Sequence, residues 1–185
     1  MTTSLHDINS LLATAVSCIT DDRQFNIELP LIMCSHWSPA ILDSFRAVVT
    51  KSGSCACGFE VSRTTNQHMV LSELGCHPDL QENLDQLEPT VTTICPCCQT
   101  PMEVETSVDA PRFLLVANSM INYDNCQQLD RIGTGYLYGR SILDLVAIGV
   151  RSSLSATRVI PVRAGDLPPD TANIRFILFQ NALLR

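Results

Sequence analysis

Apolar side chains recur at helical spacing from residue 4 to residue 19: Leu5, Ile8, Leu11, Leu12, Ala15, Val16 and Ile19 fall on one face of a 3.6-residue period. Ser4 or Thr3 precedes them as an N-cap, with an oxygen that can accept from an orphaned amide of the first turn. The spacing predicts a second helix over "SPAILDSFRAV" (38–48), capped by Ser38, with Pro39 at the first helical position, where a missing N–H costs nothing. A third, short helix is predicted over "HPDLQENLDQLEP", with Leu80, Leu84 and Leu87 on one face, acids in its first turn and Pro89 beyond its end. The pattern then changes to strand-like runs at Phe59–Arg63, His68–Leu74, Thr90–Ile94, Met102–Val108, Phe113–Ser119, Ile142–Val150, Arg158–Arg163 and Ile174–Gln180. Between the fifth and sixth lies "NYDNCQQLDRIGTGYLYGR", read as a glycine-containing loop. The implied class is α+β: N-terminal helices followed by an antiparallel sheet, with no internal repeat or linker.

Composition narrows what such a chain can do. With 185 residues and 45% apolar content, it has the size of a single domain that buries ~70% of its unfolded surface without needing staples. Its net charge of −7 and the lack of any basic cluster argue against nucleic acid as partner, because counterion release needs grouped Lys and Arg. Arg151, Arg158 and Arg163 are the nearest approach to such a group, and they are spread over thirteen residues. The first twenty residues have no positive n-region, and no run reaches the ~18 apolar residues of a membrane span. The expected setting is therefore intracellular, cytoplasm or nucleus, with no membrane partner. There cysteines stay reduced, and an odd count of nine agrees with free thiols or thiolates.

Five of those nine sit in two knots, "SCACGFE" (54–60) and "ICPCCQT" (94–100), both at predicted strand ends where turns belong. Zinc takes four soft ligands in a tetrahedron, and a thiolate pair two or three residues apart on a tight turn supplies half of it. Cys95 and Cys98 have the usual two-residue gap, stiffened by Pro96, whereas Cys55 and Cys57 are separated by only one residue. Gly58 permits the positive φ that such turns need. Structural Zn2+ held by Cys55, Cys57, Cys95 and Cys98 is the expectation, with a zinc-ribbon-like extension around it; Cys97 could replace either neighbour. The alternative is that these thiols are small buried apolar groups, as free cysteine often is. His68 and His77 are read as surface or capping residues rather than ligands, and Cys18, Cys34, Cys76 and Cys126 as packing residues.

The order of the features carries further information. In sequence come "DDRQF" (21–25), the helix with Phe45, "CACG", "LSEL", "LQENLDQL", "CPCC", "PRFLLVAN" and "LDLVAIGV". This order resembles the ubiquitin-specific protease family of cysteine deubiquitinases over roughly residues 20–165. In that family an Asp-x-x-Glu-Phe segment, a Phe-bearing helix and a Cys-x-x-Cys-Gly knuckle are followed by a Leu-x-Leu strand, a leucine-bearing helix and a second Cys-x-x-Cys. A Pro-x-x-Leu strand and a Leu-Val-Ala-Val strand then lead to the catalytic histidine. The resemblance implies a finger region at about 50–110, tipped by the knuckles, and a palm-like sheet at about 111–182. It also implies that ubiquitin or a ubiquitin-like protein rests against the strands after each knuckle, around Glu60, His68, Glu103 and Glu105.

The departures from the family decide the expected activity. Nothing resembles the family's Gly-x-x-Asn-x-Gly-Asn-Thr-Cys segment around the nucleophile, and the late Gly-His-Tyr falls by register on Ala156-Thr157-Arg158. Threonine cannot act as the base of a thiol–imidazole pair. Gln24 stands for the family's acid, and all four histidines, His6, His36, His68 and His77, lie in the first half of the chain. The expectation is a truncated or degenerate, non-catalytic member. The alternative is an active thiol-dependent deubiquitinase, either an incomplete chain whose missing N-terminal segment supplies the nucleophile or one with unusual residues. For the latter, Cys34 and His36 in "MCSHW" are the least poor candidates and would share one face if that stretch were a strand. A zinc-ribbon scaffold in a larger assembly is the third possibility.

Overall fold

Two runs of consecutive apolar residues, Phe113–Ala117 and Phe176–Phe179, are buried at every position. A strand can do that only when both faces of its sheet are covered. The computed structural model describes residues 4–19, 24–68, 72–74, 79–86, 90–118, 135–151, 157–163 and 174–184. Its elements in chain order are α1 (Leu5–Ser17), α2 (Phe25–His36), α3 (Pro39–Leu42), a 3-10 turn at Asp43–Phe45, β1 (Arg46–Ser54), β2 (Glu60–His68), β3 (Ser72–Leu74), α4 (Leu80–Asp85), β4 (Val91–Ile94), β5 (Pro101–Asp109), β6 (Phe113–Asn118), β7 (Gly135–Tyr138), β8 (Ser141–Arg151), β9 (Thr157–Pro161) and β10 (Ile174–Asn181). Helices therefore come first and antiparallel sheets follow, the one parallel pairing among the described residues being β3 on β6.

The strands form two sheets: a six-stranded one in the order β3-β6-β10-β8-β7 with β9 also on β8, and a four-stranded one in the order β2-β1-β5-β4. Alternation divides the six-stranded sheet's side chains between two cores. Phe113, Leu115, Phe176 and Leu178 face α1 and α2, where they meet Ile8, Leu12, Phe25, Leu29 and Met33. Leu114, Val116, Ile177 and Phe179 face the other way, against Leu80 and Leu84 of α4 and against Ala47, Val49 and Val108 of the four-stranded sheet. The second sheet is thus rooted in the first sheet's core by the base of β1 and the end of β5. A register shift between Leu178 and Phe179 leaves Val146 between two paired neighbours, and both Val146 and Ala147 join the helix-side core, as a β-bulge allows.

Local chemistry explains most element ends. Ser4 and Asp7 form a reciprocal capping box, with the Asp7 amide donating to Ser4 Oγ at 3.2 Å and the Ser4 amide donating to the Asp7 carboxylate at 3.1 Å. The Ser4 hydroxyl also donates to the Asp7 carboxylate at 2.6 Å, and this bond first, then the one from the Ser4 amide, holds the Asp7 carboxyl below its ordinary range. Asp79 caps α4 by accepting from the Gln81 amide at 2.7 Å. The Gln81 side chain then pairs with both backbone groups of Leu137, donating at 2.7 Å and accepting at 2.9 Å. It takes the place of a neighbouring strand on the free edge of β7, which an uncovered sheet edge requires.

Several sequence expectations are corrected. Residues 25–36 form a helix that periodicity did not single out: Phe25, Leu29 and Met33 are buried at i, i+4 and i+8, and this tertiary burial holds the helix despite Pro30 in its interior. Cys34 and His36 consequently lie about 200° apart around a helix axis rather than on one strand face, and both are exposed. The predicted helix 38–48 is cut to α3 and the 3-10 turn, because Phe45 turns into the core against Trp37 and Phe113 and β1 starts at Arg46. The expected strand His68–Leu74 is two pieces in two sheets, and the end of the expected loop 122–140 is β7. Cys18 and Cys34 are exposed, not packing residues. Leu87, Cys76, His77 and Cys126 lie outside the described residues. No described helix is long and apolar enough to cross a membrane.

Gly149 sits opposite Phe176, and a β-carbon there would collide with the Phe176 ring, which is fully buried and stacked on Phe25 at 6.1 Å. Gly149→Ala is expected to destabilise the fold by about 1–3 kcal/mol, the usual cost of overpacking. Urea unfolding of the two proteins side by side measures it, and equal midpoints would contradict this packing.

Candidate metal centre

The two cysteine knots close the β1–β2 and β4–β5 hairpins. Because β1 pairs antiparallel with β5 in the middle of the sheet, both turns emerge at the same end. In the first, the Cys55 amide donates to Phe59 O at 2.8 Å and the Gly58 amide to Cys55 O at 2.9 Å. In the second, the Cys95 amide donates to Thr100 O at 2.9 Å and the Gln99 amide to Cys95 O at 3.0 Å. The residue after the second cysteine is left-handed in both, Gly58 at φ 86° and Gln99 at φ 59°. The knuckles are thus one design at two lengths. The one-residue gap of Cys55 and Cys57 belongs to a turn one residue shorter, closed in the same way.

This closure brings the four sulfurs together. Cys55 Sγ lies 3.4 Å from Cys98 Sγ and Cys57 Sγ 3.7 Å from Cys95 Sγ, and all four sulfurs are within 4.8 Å of one another. A zinc ion at about 2.3 Å from each of four thiolates sets sulfur–sulfur edges of about 3.8 Å, so this donor set fits a tetrahedral metal such as zinc. Cys95 is buried, Cys55 and Cys98 are half-buried and Cys57 is exposed. Cys97 is exposed and stands outside the four, so Cys95 and Cys98 form the second pair.

The thiols share their protons unequally. The Cys57 amide, the Thr100 hydroxyl and Cys98 hold the Cys55 thiol down to about 6. Cys98 is also lowered, chiefly by the Thr100 hydroxyl and then by the Thr100 amide. The Phe59 amide draws Cys57 the same way, but crowding by the sulfurs of Cys98, Cys95 and Cys55 outweighs it and pushes Cys57 up to about 12. One sulfur is therefore a ready anion while a neighbour keeps its proton, as expected of four thiols placed too close together to ionise independently.

The glutamates singled out from sequence are also brought together. Ser54 pairs with Glu60, and Ser52 pairs with both Ser62 and Glu105, which puts these residues on one face of the sheet, and Glu103 joins them two residues before Glu105. Glu60, Glu103 and Glu105 line an open cleft of about 530 Å³ beside the knuckles, together with Ser52, Ser54 and Ser62. His68 is not part of it. It ends β2 opposite Arg46, eight residues from Glu60 and so about 27 Å along the strand. Sequence reading missed β1, which lines this cleft with Ser52, Gly53 and Ser54, although the β-branched run Val48, Val49 and Thr50 is a strand signal.

No protein-family model and no curated protein matches the chain. Solved structures do. A chain of the SAGA DUB module Ubp8/Sgf11/Sus1/Sgf73, in an Ubp8-variant form bound to monoubiquitin, superposes with a TM-score of 0.51 at 11% identity, covering 85% of this chain and 44% of that one. The same module bound to ubiquitin aldehyde gives a TM-score of 0.48 at 9% identity, covering 80% of this chain and 44% of that one. The first likeness supports a ubiquitin-specific-protease-like fold. This chain spans less than half the length of those it matches.

A metal needs deprotonated thiolates, so its capture must expel the proton that Cys57 holds at neutral pH, whereas Cys55 has already lost its own. Metal affinity is therefore expected to rise with pH by at least about tenfold per unit between about pH 6.5 and 8.5, one decade per proton released. Competition against a chromophoric chelator across that range measures the slope, and a flat profile would contradict it.

Proposed function

We propose that this chain is a non-catalytic ubiquitin-specific-protease-like domain that carries one structural zinc and docks ubiquitin or a ubiquitin-like protein. The observation that carries the reading is the cluster of four sulfurs within 4.8 Å at the ends of two paired hairpins. In this reading the finger region is about 50–110 and the palm-like sheet about 111–182. Zinc held by Cys55, Cys57, Cys95 and Cys98 supplies a fixed charge and four bonds, with no open position for a substrate. The knuckle backbone orients the thiolates, and the metal joins two hairpins whose tips otherwise bury only Cys95 and Met102 among the described residues. Catalysis is not supported, because Cys34 and His36 diverge around α2 and β9 carries Thr157 and Arg158 where the family has its histidine.

The partner surface of this proposal is the cleft of Glu60, Glu103 and Glu105. Ubiquitin presents an apolar patch ringed by basic residues, and an acidic face favours encounter with such a partner more than it raises affinity. Each exposed pair contributes only ~0.2–1 kcal/mol, so binding is weak, with Kd on the order of 0.1–1 mM.

Three experiments test the proposal. Purified protein is expected to hold close to one zinc per chain by elemental analysis, and strong chelation is expected to loosen the four-stranded sheet while the six-stranded sheet stays folded. Protein from zinc-supplemented cells with no bound zinc would defeat the metal reading. Labelled ubiquitin titrated with the chain at low salt is expected to show amide shifts that fade with added salt and with Glu103→Lys, because screening and charge reversal both remove the attraction. A ubiquitin-vinyl probe is expected to remain unreacted. Unchanged ubiquitin spectra at millimolar concentration would leave a zinc-ribbon scaffold, and probe capture lost in Cys34→Ala would make the chain an enzyme.

A further inference from the structure

The two knuckles match residue for residue at their closing ends, except in one group. Phe59 and Thr100 both follow the left-handed residue, both accept the first cysteine's amide, and both aim their own amide at the second cysteine's sulfur. Thr100 adds a hydroxyl, and Phe59 has none. Thr100 Oγ1 lies 3.0 Å from Cys98 Sγ and 3.5 Å from Cys55 Sγ, so it touches one sulfur of each knuckle. Once the thiolates hold a metal they have no proton to give, and the hydroxyl must be the donor. With a single hydrogen it serves Cys98 first and Cys55 at longer range.

Resting on the structural-zinc reading, we infer that Thr100 is a positioning residue of the metal centre, its hydroxyl cross-linking Cys98 and Cys55 in the geometry that the metal needs. Four thiolates around a divalent ion leave a net charge of −2, and the half-buried pair Cys55 and Cys98 carries part of it. A hydroxyl donor on those sulfurs disperses that charge and holds both side chains in place before the ion arrives. Groups that hydrogen-bond metal ligands in this way typically change metal affinity 10–100-fold when removed. Phe59 offers no such group in the first knuckle, so the hydroxyl acts on Cys98 and Cys55 rather than on all four sulfurs.

The test compares the full chain with Thr100→Val, which keeps the branched shape, and with Thr100→Ser, which keeps the hydroxyl. Zinc affinity is read by chelator competition at one pH. Cobalt substitution reads the sulfur-to-metal charge-transfer band, which reports the electron density on the sulfurs. Thr100→Val is expected to bind zinc about tenfold more weakly and to shift the cobalt band to lower energy, since thiolates without the donor release electrons more easily. Thr100→Ser is expected to retain both wild-type values. Wild-type affinity and band position in Thr100→Val would overturn the inference while leaving the zinc reading intact. Equal losses in both variants would show that any change of this side chain disturbs the turn, whether or not the hydroxyl is kept, and would overturn it too. Wild-type protein that binds neither zinc nor cobalt would instead defeat the zinc reading itself.

Discussion

Burial of the six-stranded sheet on both faces is the constraint from which the remaining architecture follows. Leu114, Val116, Ile177 and Phe179 need cover on one side, and Phe113, Leu115, Phe176 and Leu178 on the other. Each fully buried side chain of this size contributes roughly 1.5–3 kcal/mol, so neither face can be left to water. The N-terminal helices cover one face. The other is closed by α4 and by the root of a second sheet, and this is why β1 and β5 leave the core where they do.

That second sheet runs out of apolar cover as it leaves the root. Ala47, Val49 and Val108 are buried, while Lys51, Ser52, Ser54, Ser62 and Glu105 further along are exposed. A four-stranded sheet with one dry end and one wet end depends on something other than the hydrophobic effect at the wet end. Four thiols from two turns lie there within 4.8 Å of one another, a donor set that one tetrahedral ion can join with little buried area. The same arrangement leaves the strand faces beside the knuckles free of packing duties, and the acidic cleft occupies that freedom.

The two knuckles show how closely turn length and ligand spacing are tied. Shortening the turn by one residue shortens the cysteine gap by one, and the left-handed residue stays directly behind the second cysteine. The unusual spacing of Cys55 and Cys57 is therefore compatible with the same tetrahedral placement as the ordinary spacing of Cys95 and Cys98. Gly58 adopts its φ without steric cost, whereas Gln99 carries a Cβ there and the turn must hold it in place. The hydroxyl of Thr100 then breaks the likeness between the two turns, and the chemistry of the four sulfurs becomes unequal.

Local signals by themselves determined much of this protein. The cap and apolar stripe of α1, the alternation along β5, the unbroken apolar runs of β6 and β10 and the turn chemistry around the four cysteines can all be read from residues near one another in the chain. They were enough to anticipate α+β order and the four metal-ligand candidates. Tertiary structure decided the rest, because the deciding partners are distant in sequence. Phe25, Leu29 and Met33 become a helix face only against Phe113 and Phe176, which outweigh Pro30. Phe45 ends the predicted helix 38–48 because Trp37 and Phe113 hold its ring. Strand β3 joins β6 in parallel, away from β2, a pairing on which no local pattern bears. His68 parts from Glu60 for an equally simple reason: a strand extends by about 3.3 Å per residue, and eight residues carry it to the other end of the sheet.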